Sequence, residues 1–230
     1  LLRVDRRNGE RNLFEHVEQH LHRFERSEER HVVLDRRAAA AELGIDPDMH
    51  TILLMGGSMG YGDIAGVVEE LDAIPQDFQI ISVCGNNAAA KEAIDALHTK
   101  KRVMNFGFTK EVDLLMDAAD IIATKPGGLT TSEALAKHLP IIICNPIPGQ
   151  ERRNASFLLN NGAAMEVDKH IHFEDVFWQL THNPARVECF RQAIAAIAKP
   201  NATEDLYALT ASLVAAYESN PAIPLPRYVK

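Results

Sequence analysis

The 230-residue chain has only three cysteines and no apolar stretch long enough to cross a lipid bilayer. Its longest apolar runs, such as residues 139–144, hold about six residues, whereas a membrane-spanning helix needs ~20. Cys84, Cys144 and Cys189 lie far apart without CxxC spacing, which argues against a disulfide scaffold and against a zinc finger. Such cysteine usage is typical of a reducing compartment, and we predict a cytoplasmic protein.

Basic residues are also scarce relative to acidic ones. The chain has 24 Lys and Arg against 32 Asp and Glu, which gives a net charge of −8. Because binding to nucleic acid requires clustered Lys and Arg, we predict no nucleic-acid partner. Five of the ten histidines lie in the first 50 residues, but their spacing matches no ligand motif. We therefore predict a solvated surface there and no metal site.

The first 48 residues differ in composition from the rest of the chain. Leu13, Val17 and Leu21 recur at helical spacing and predict an amphipathic helix, and a second short helix is predicted over residues 36–43. Because the chain opens on Leu1 rather than methionine, we expect residues 1–48 to be a remnant or an interdomain region of a longer protein. Residues 221–230 contain three prolines and predict an extended tail.

Between residues 49 and 220 the pattern predicts an α/β domain. Six short apolar runs alternate with amphipathic helices, at residues 51–56, 79–85, 102–107, 120–124, 140–144 and 163–167. Strands that alternate with helices of about ten residues predict βαβ units and a parallel sheet. Residues 171–218 predict helices only.

Two glycine-rich loops follow predicted strands and precede predicted helices. Loop A (residues 56–62, GGSMGYG) follows the first strand, and loop C (residues 125–129, KPGGL) follows the fourth. Glycines permit close approach of the backbone to a ligand, and the N–H groups of a helix start favour an anion. Loop A matches neither the Walker pattern nor GxGxxG. For loop A alone, a phosphate site and a merely tight turn remain equally open.

Glu133 follows loop C and has two interpretations. Thr130 and Glu133 have the T-x-x-E spacing of a capping box, and spacing alone favours that structural role. The alternative is a carboxylate that accepts hydrogen bonds from ribose hydroxyls, as acidic residues do in dinucleotide-binding folds.

Two further loops could contact the rest of a nucleotide sugar. Loop D (residues 145–151, NPIPGQE) and Asn154 carry amide and acidic groups that suit sugar hydroxyls, although Glu151 could simply stabilise a helix N-terminus. In loop B (residues 106–109), Phe108 could meet a nucleobase or belong to the core, and Thr109 could be an N-cap. Together the four loops describe a nucleotide-sugar pocket.

Three segments resemble a known family. They are GGSMGYG (56–62), GFTKEVDLLMDAADIIATKPGGLTTSEALA (107–136) and LPIIICNPIPGQERRNASFLLNNGAA (139–164). They are similar to the donor-binding half of monogalactosyldiacylglycerol synthases and processive diacylglycerol glucosyltransferases, which are inverting GT-B enzymes. The resemblance implies a Rossmann-like parallel sheet with helices on both faces, which is one half of a GT-B fold, plus N-terminal and C-terminal helices.

The resemblance also implies roles for individual residues in binding a UDP-sugar. The diphosphate would lie against Gly57, Ser58 and Gly60, the uracil against the backbone of Phe108, and the nucleotide and its phosphates against Gly127, Gly128, Leu129 and Thr130. Glu133 would hold the ribose, and the sugar would be oriented by Gln150, Glu151 and Asn154. Tyr61 departs from the family, which usually has a small residue there.

The resemblance implies hexosyl transfer with inversion from UDP-galactose or UDP-glucose to a lipid such as diacylglycerol. No cofactor is expected, because the UDP-sugar is a substrate, and the enzyme would associate peripherally with a membrane. The family's general base belongs to an N-terminal domain that residues 1–50 do not provide. We therefore predict that this chain alone binds the donor and transfers little sugar. Two alternatives remain open, a stand-alone UDP-sugar-binding subunit that needs a separate acceptor partner, and a UDP-sugar epimerase.

Overall fold

The structure, a computed structural model, describes residues 35–219 except residues 58 and 61. The strands are β1 (Thr51–Met55), β2 (Gln79–Val83), β3 (Val103–Phe106), β4 (Ile121–Thr124), β5 (Ile141–Ile143) and β6 (Ala164–Glu166). The helices are α1 (Arg36–Glu42), α2 (Ile64–Ala73), α3 (Ala88–Asp95), α4 (Val112–Asp117), α5 (Gly128–Ala136), α6 (Gln150–Asn160), α7 (Phe173–His182), α8 (Pro184–Ile197) and α9 (Ala202–Ser219).

The six strands form one sheet in the order β3-β2-β1-β4-β5-β6, and every neighbouring pair is parallel. Thr51 of β1 pairs with Gln79 of β2, and Ile52 pairs with Ile121 of β4, so β1 lies at the centre. The predicted parallel sheet is therefore confirmed, and its strand order is that of a doubly wound Rossmann-like fold.

Both faces of the sheet are buried. Successive residues of β1 point to opposite faces, so Ile52 packs in one hydrophobic cluster and Leu53 in the other. The Ile52 cluster includes side chains of α2, α3 and α7, and the Leu53 cluster includes side chains of α1, α4, α5 and α6. This arrangement explains why the strands are continuous apolar runs, and it confirms the prediction of helices on both faces.

Polar side chains fix where several helices begin. The side chain of Asp63 accepts a hydrogen bond from the backbone N–H of Gly66 at 2.9 Å, so Asp63 is the N-cap of α2. Asn87 caps α3 in the same way through the N–H of Ala90 at 3.0 Å. These caps fix the starts of α2 and α3 shortly after β1 and β2 in the chain. The loops between them therefore stay close to the carboxyl edge of the sheet.

Two predicted caps are wrong. Helix α5 begins at Gly128 with Gly127 as its N-cap and no side-chain cap, so the capping box of Thr130 and Glu133 does not form. The T-x-x-E spacing would make Thr130 the N-cap, but the helix already begins at Gly128, so Thr130 and Glu133 both lie within it. Thr109 is not an N-cap either, since α4 begins after Glu111 and the Thr109 hydroxyl accepts the N–H of Glu111 at 3.1 Å.

The chain ends outside this sheet are only partly described. The short helix predicted over residues 36–43 is confirmed as α1. The helix predicted around Leu13, Val17 and Leu21 and the proline-rich tail 221–230 lie outside the described residues. Helix α9 belongs to a second compact unit, and its Leu206, Leu209 and Leu213 are exposed.

Candidate functional site

The centre of the sheet defines where a ligand can enter. From β1 the chain builds outward to β2 and β3 on one side, and β4, β5 and β6 lie on the other. The loops that leave β1 and β4 therefore diverge at their carboxyl ends and leave a crevice, which is the usual ligand site of open parallel sheets. Loops A and C occupy these two positions.

A cleft of about 380 Å³ opens at this edge, within the range of small-molecule sites. Seven residues of the predicted UDP-sugar site line it: Gly57, Phe108, Gly127, Gly128, Leu129, Thr130 and Glu133. Apolar side chains that the sequence did not single out, such as Met55, Val83 and Val112, line it as well. The structure thus brings loops A, B and C together around one cavity.

Loop C presents the start of α5 to the cleft. Gly127 occupies the N-cap position without a side-chain cap, and the first N–H groups of a helix have no intrahelical partner. A Cβ atom built on Gly127 or Gly128 would meet no other atom within 4 Å, so open space lies beside this backbone. An anion such as a phosphate can approach these N–H groups directly.

Loop A contributes one open glycine and one buried glycine. Gly57 has φ +75° and open space where a side chain would stand, and it lines the cleft. Gly60, with φ +59°, is buried instead. A Cβ atom there would lie 2.0 Å from the Cys84 carbonyl oxygen, so the backbone is tightly packed at this position. The Gly60 carbonyl accepts a hydrogen bond from Asn87 Nδ2 at 2.9 Å, so Gly60 anchors loop A to the start of α3. Ser58 and Tyr61 lie outside the described residues.

Glu133 is exposed on α5 and lines the cleft without acting as a cap. It lies about one turn beyond the start of α5 at loop C. Desolvation by neighbouring atoms raises the pKa of its carboxyl group above the usual value. Such a carboxylate can accept two hydrogen bonds from vicinal hydroxyls, as ribose binding requires.

Phe108 and Leu129 stand at the mouth of the same cleft. Phe108 is 63% exposed and Leu129 is 83% exposed, so the interpretation of Phe108 as a core residue is wrong. Large apolar side chains with this exposure can cover a flat ligand. Gly85, with φ +57°, follows β2 in the chain and also lines the cleft. The sequence signal that could have revealed it is a glycine shortly after a buried strand.

Loop D is arranged differently from the prediction. Glu151 Oε2 accepts the backbone N–H of Ile147 at 2.7 Å, and Asn154 Nδ2 donates to the Pro126 carbonyl at 2.9 Å. Glu151 therefore closes loop D on itself, and Asn154 ties α6 to loop C. Gln150 is exposed at the first position of α6. None of these three residues lines the 380 Å³ cleft.

A larger cavity of about 560 Å³ lies at the opposite, amino edge of the sheet. Its charged side chains are largely paired with each other, through Arg36 with Asp120 at 3.1 Å and Lys137 with Asp117 at 2.6 Å. These pairs also support the fold, since Asp120 accepts the N–H of Thr51 at 2.8 Å. Of these two cavities in the described part of the chain, the smaller cleft combines open glycine backbone with a helix start and is the candidate ligand site.

Within the described part of the chain, no helix is long and apolar enough to cross a membrane. In the same residues, no group of three or more His, Cys, Asp or Glu side chains could hold a metal ion.

Strand order, cleft position and glycine-rich helix start together define a Rossmann-like domain with a candidate nucleotide-binding cleft. Residues 51–182 match the glycosyltransferase family 28 C-terminal domain, and the chain belongs to this family. A processive diacylglycerol beta-glucosyltransferase of Bacillus licheniformis is 31% identical over 176 residues, which are 74% of this chain and 45% of that protein. A probable chloroplastic monogalactosyldiacylglycerol synthase 2 of Oryza sativa subsp. japonica is 36% identical over 140 residues, which are 58% of this chain and 30% of that protein.

The fold also matches solved glycosyltransferase structures. MurG of Acinetobacter baumannii superposes with a TM-score of 0.58 at 20% identity, over 79% of this chain and 54% of that one. This likeness establishes the fold, which is the GT-B half predicted from the sequence. The chain spans less than half the length of the two curated relatives described above.

Proposed function

We propose that this chain is the donor-binding half of a glycosyltransferase that transfers a hexosyl group from UDP-galactose or UDP-glucose to a lipid acceptor such as diacylglycerol. The observation that carries the proposal is the cleft at the carboxyl edge, where the uncapped start of α5 and the Glu133 carboxyl group line one cavity. Family membership and the printed activities of the relatives support the same reaction class.

In the proposed binding mode, the diphosphate lies against the backbone of Gly57, Gly127 and Gly128. The ribose hydroxyls donate to Glu133, and the uracil lies at the mouth beside Phe108 and Leu129. The UDP-sugar is a substrate, so we propose that the reaction uses no further cofactor.

The transfer follows from where charge develops. The acceptor hydroxyl oxygen forms a bond to the anomeric carbon, and the bond from that carbon to the β-phosphate oxygen breaks with inversion. The electron pair of the broken bond stays on UDP, and the hydroxyl proton passes to a general base. The N–H groups at the start of α5 stabilise the growing charge on the leaving UDP. We propose that the base and the acceptor site come from outside the described residues, and that the protein meets its lipid acceptor by peripheral association with a membrane.

Calorimetric titration of the chain with UDP tests the donor site, with ADP as the control ligand. We expect UDP to bind more tightly than ADP, and Glu133→Ala to lose about 1.5–3 kcal/mol of binding free energy, as for a hydrogen bond to a charged group. The matched control is Glu92→Ala, because Glu92 is an exposed glutamate of α3 that does not line the cleft. Equal binding of UDP by the wild-type chain and Glu133→Ala would contradict the proposal.

Incubation of the chain with UDP-glucose alone separates transfer from epimerisation. We expect no conversion to another UDP-hexose, because transfer needs an acceptor hydroxyl group that attacks the anomeric carbon. Appearance of UDP-galactose without an acceptor would favour the epimerase alternative.

A further inference from the structure

The residues predicted to orient the sugar are engaged elsewhere in loop D. The Glu151 carboxylate is bonded to the Ile147 backbone, and the Asn154 amide is bonded to the Pro126 carbonyl. Of the three predicted sugar contacts, only Gln150 has a side chain without such a hydrogen bond among the described residues. A donor hexose at this edge could contact further polar groups beside these three.

A small notch of about 30 Å³ lies where β1, β4 and β5 end, beside loop A. Its polar lining includes Lys125 after β4 and Asn145 after β5, together with Asp63 and Thr124. Gly62 of loop A lines it beside Lys125. This volume is that of one water molecule or one hydroxyl group. Met55 lines both this notch and the 380 Å³ cleft, so the two are neighbours at the end of β1.

Asn145 has an uncommon backbone conformation directly after β5. It has φ +45°, in the left-handed region, and it precedes Pro146, which restricts it further. His138 is the other non-glycine residue with positive φ among the described residues, at +54°, and it has a clear structural cause. His138 follows the end of α5, where the Leu139 N–H bonds to the Ala134 carbonyl in a common helix-terminating turn. Asn145 follows a strand and ends no helix.

The Asn145 side chain is available to a ligand. It is exposed at the notch, and its amide forms no hydrogen bond to another described residue. An amide offers both a donor and an acceptor, so it can recognise a hydroxyl group by its position and direction.

We propose that Asn145 is a specificity-determining residue that binds a hydroxyl group of the donor hexose in the notch beside Lys125. The proposal rests on the proposed function, since the hexose reaches the notch only when the diphosphate lies on loops A and C. The strained backbone holds the amide at the carboxyl end of β5, where a hydroxyl would replace a water molecule.

The test compares Asn145→Gly with His138→Gly. Glycine adopts positive φ without strain, so both variants keep the backbone and remove only a side chain, at opposite ends of β5. Thermal unfolding checks that both fold. Calorimetry then gives the dissociation constants of UDP, UDP-glucose and UDP-galactose for each protein.

We expect Asn145→Gly to keep the affinity for UDP and to weaken the better UDP-hexose about fivefold to tenfold, as loss of one neutral hydrogen bond predicts. His138→Gly should change neither affinity. An unchanged ratio of UDP-hexose to UDP affinity in Asn145→Gly would overturn the inference, and so would a parallel loss of both affinities. If UDP binds through Glu133 but Asn145→Gly leaves the ratio of UDP-hexose to UDP affinity unchanged, only this inference fails. If UDP does not bind at all, the proposed function fails as well.

Discussion

Gly60 and Gly128 provide a pair of substitutions that separate folding from donor binding. In Gly60→Ala, the new Cβ would lie 2.0 Å from the Cys84 carbonyl oxygen and 2.6 Å from the Asn87 Cβ, at φ +59°. Positive φ costs a non-glycine residue about 1–2 kcal/mol. Overpacking against backbone adds about 1–3 kcal/mol, because loop A or the β2–α3 loop must move by about an ångström. We expect Gly60→Ala to lower the free energy of unfolding by about 2–5 kcal/mol.

Gly128→Ala is the matched control, since a Cβ there meets no atom within 4 Å and the residue is helical. Alanine should leave the stability equal or raise it by up to about 1 kcal/mol. The same methyl group would occupy the space in which we place the phosphate, so UDP affinity should fall at least about tenfold.

Urea unfolding followed by circular dichroism measures the first effect, and calorimetry with UDP measures the second. The reasoning would be refuted if Gly60→Ala unfolded at the wild-type urea concentration, because the close contact with Cys84 would then be absent. It would equally be refuted if Gly128→Ala bound UDP as the wild-type chain does.

Three further predictions concern titration and burial. Because desolvation raises the pKa of Glu133, the ionised carboxyl group opposes folding, and Glu133→Gln should be slightly more stable than wild type at pH 7. Urea unfolding at pH 7 and pH 4 should show that this stability difference vanishes at acid pH. A stability difference that grew at pH 4 would contradict the raised pKa. Asp120→Ala should lower the free energy of unfolding by about 1–3 kcal/mol in the same assay, because it leaves the buried Thr51 N–H without its acceptor, and an unchanged transition would refute this role. Burial raises the pKa of Cys144 to about 12, so an alkylating reagent at pH 8 should label exposed Cys189 first and Cys144 only after unfolding, as peptide mass spectrometry would detect; early labelling of Cys144 would show that it is accessible.

The fold was predictable from the sequence because both faces of the sheet are buried. Strands such as β1 and β2 consist of short apolar runs, and residues such as Asp63 cap the helices between them, so local signals and tertiary burial agree. Periodicity predicts a parallel sheet but does not give the order of its strands. The pairing of β1 with both β2 and β4 establishes that order.

The start of α5 was not predictable from spacing, for a physical reason. Thr130 and Glu133 have the side chains of a capping box, yet the helix begins at Gly128, where only backbone is available. Because the start of α5 has no side-chain cap, a rule that looks for capping side chains places the helix too late. The resemblance of loop C to a known family implies ribose binding by Glu133, and it does not give the helix boundary.

Loop D shows a second limit of sequence reasoning. Its amide and acidic side chains suit sugar hydroxyls in composition, but hydrogen bonds to Ile147 and Pro126 depend on the folded path of the loop. The backbone angle of Asn145 likewise depends on how β5 meets Pro146. The composition of loop D indicated polar side chains at the carboxyl edge of the sheet. Only the folded structure distinguishes those that are hydrogen-bonded within the protein from those that are available to a ligand.

Hydrogen–deuterium exchange of the chain with and without saturating UDP tests the central claim most directly, because it reports which of the two cavities the nucleotide occupies. If UDP occupies the 380 Å³ cleft, we expect slower amide exchange at the start of α5 and in loops A and B, around Gly128 and Phe108. Protection around Asp120 and His138 at the amino edge, or no protection at all, would contradict it.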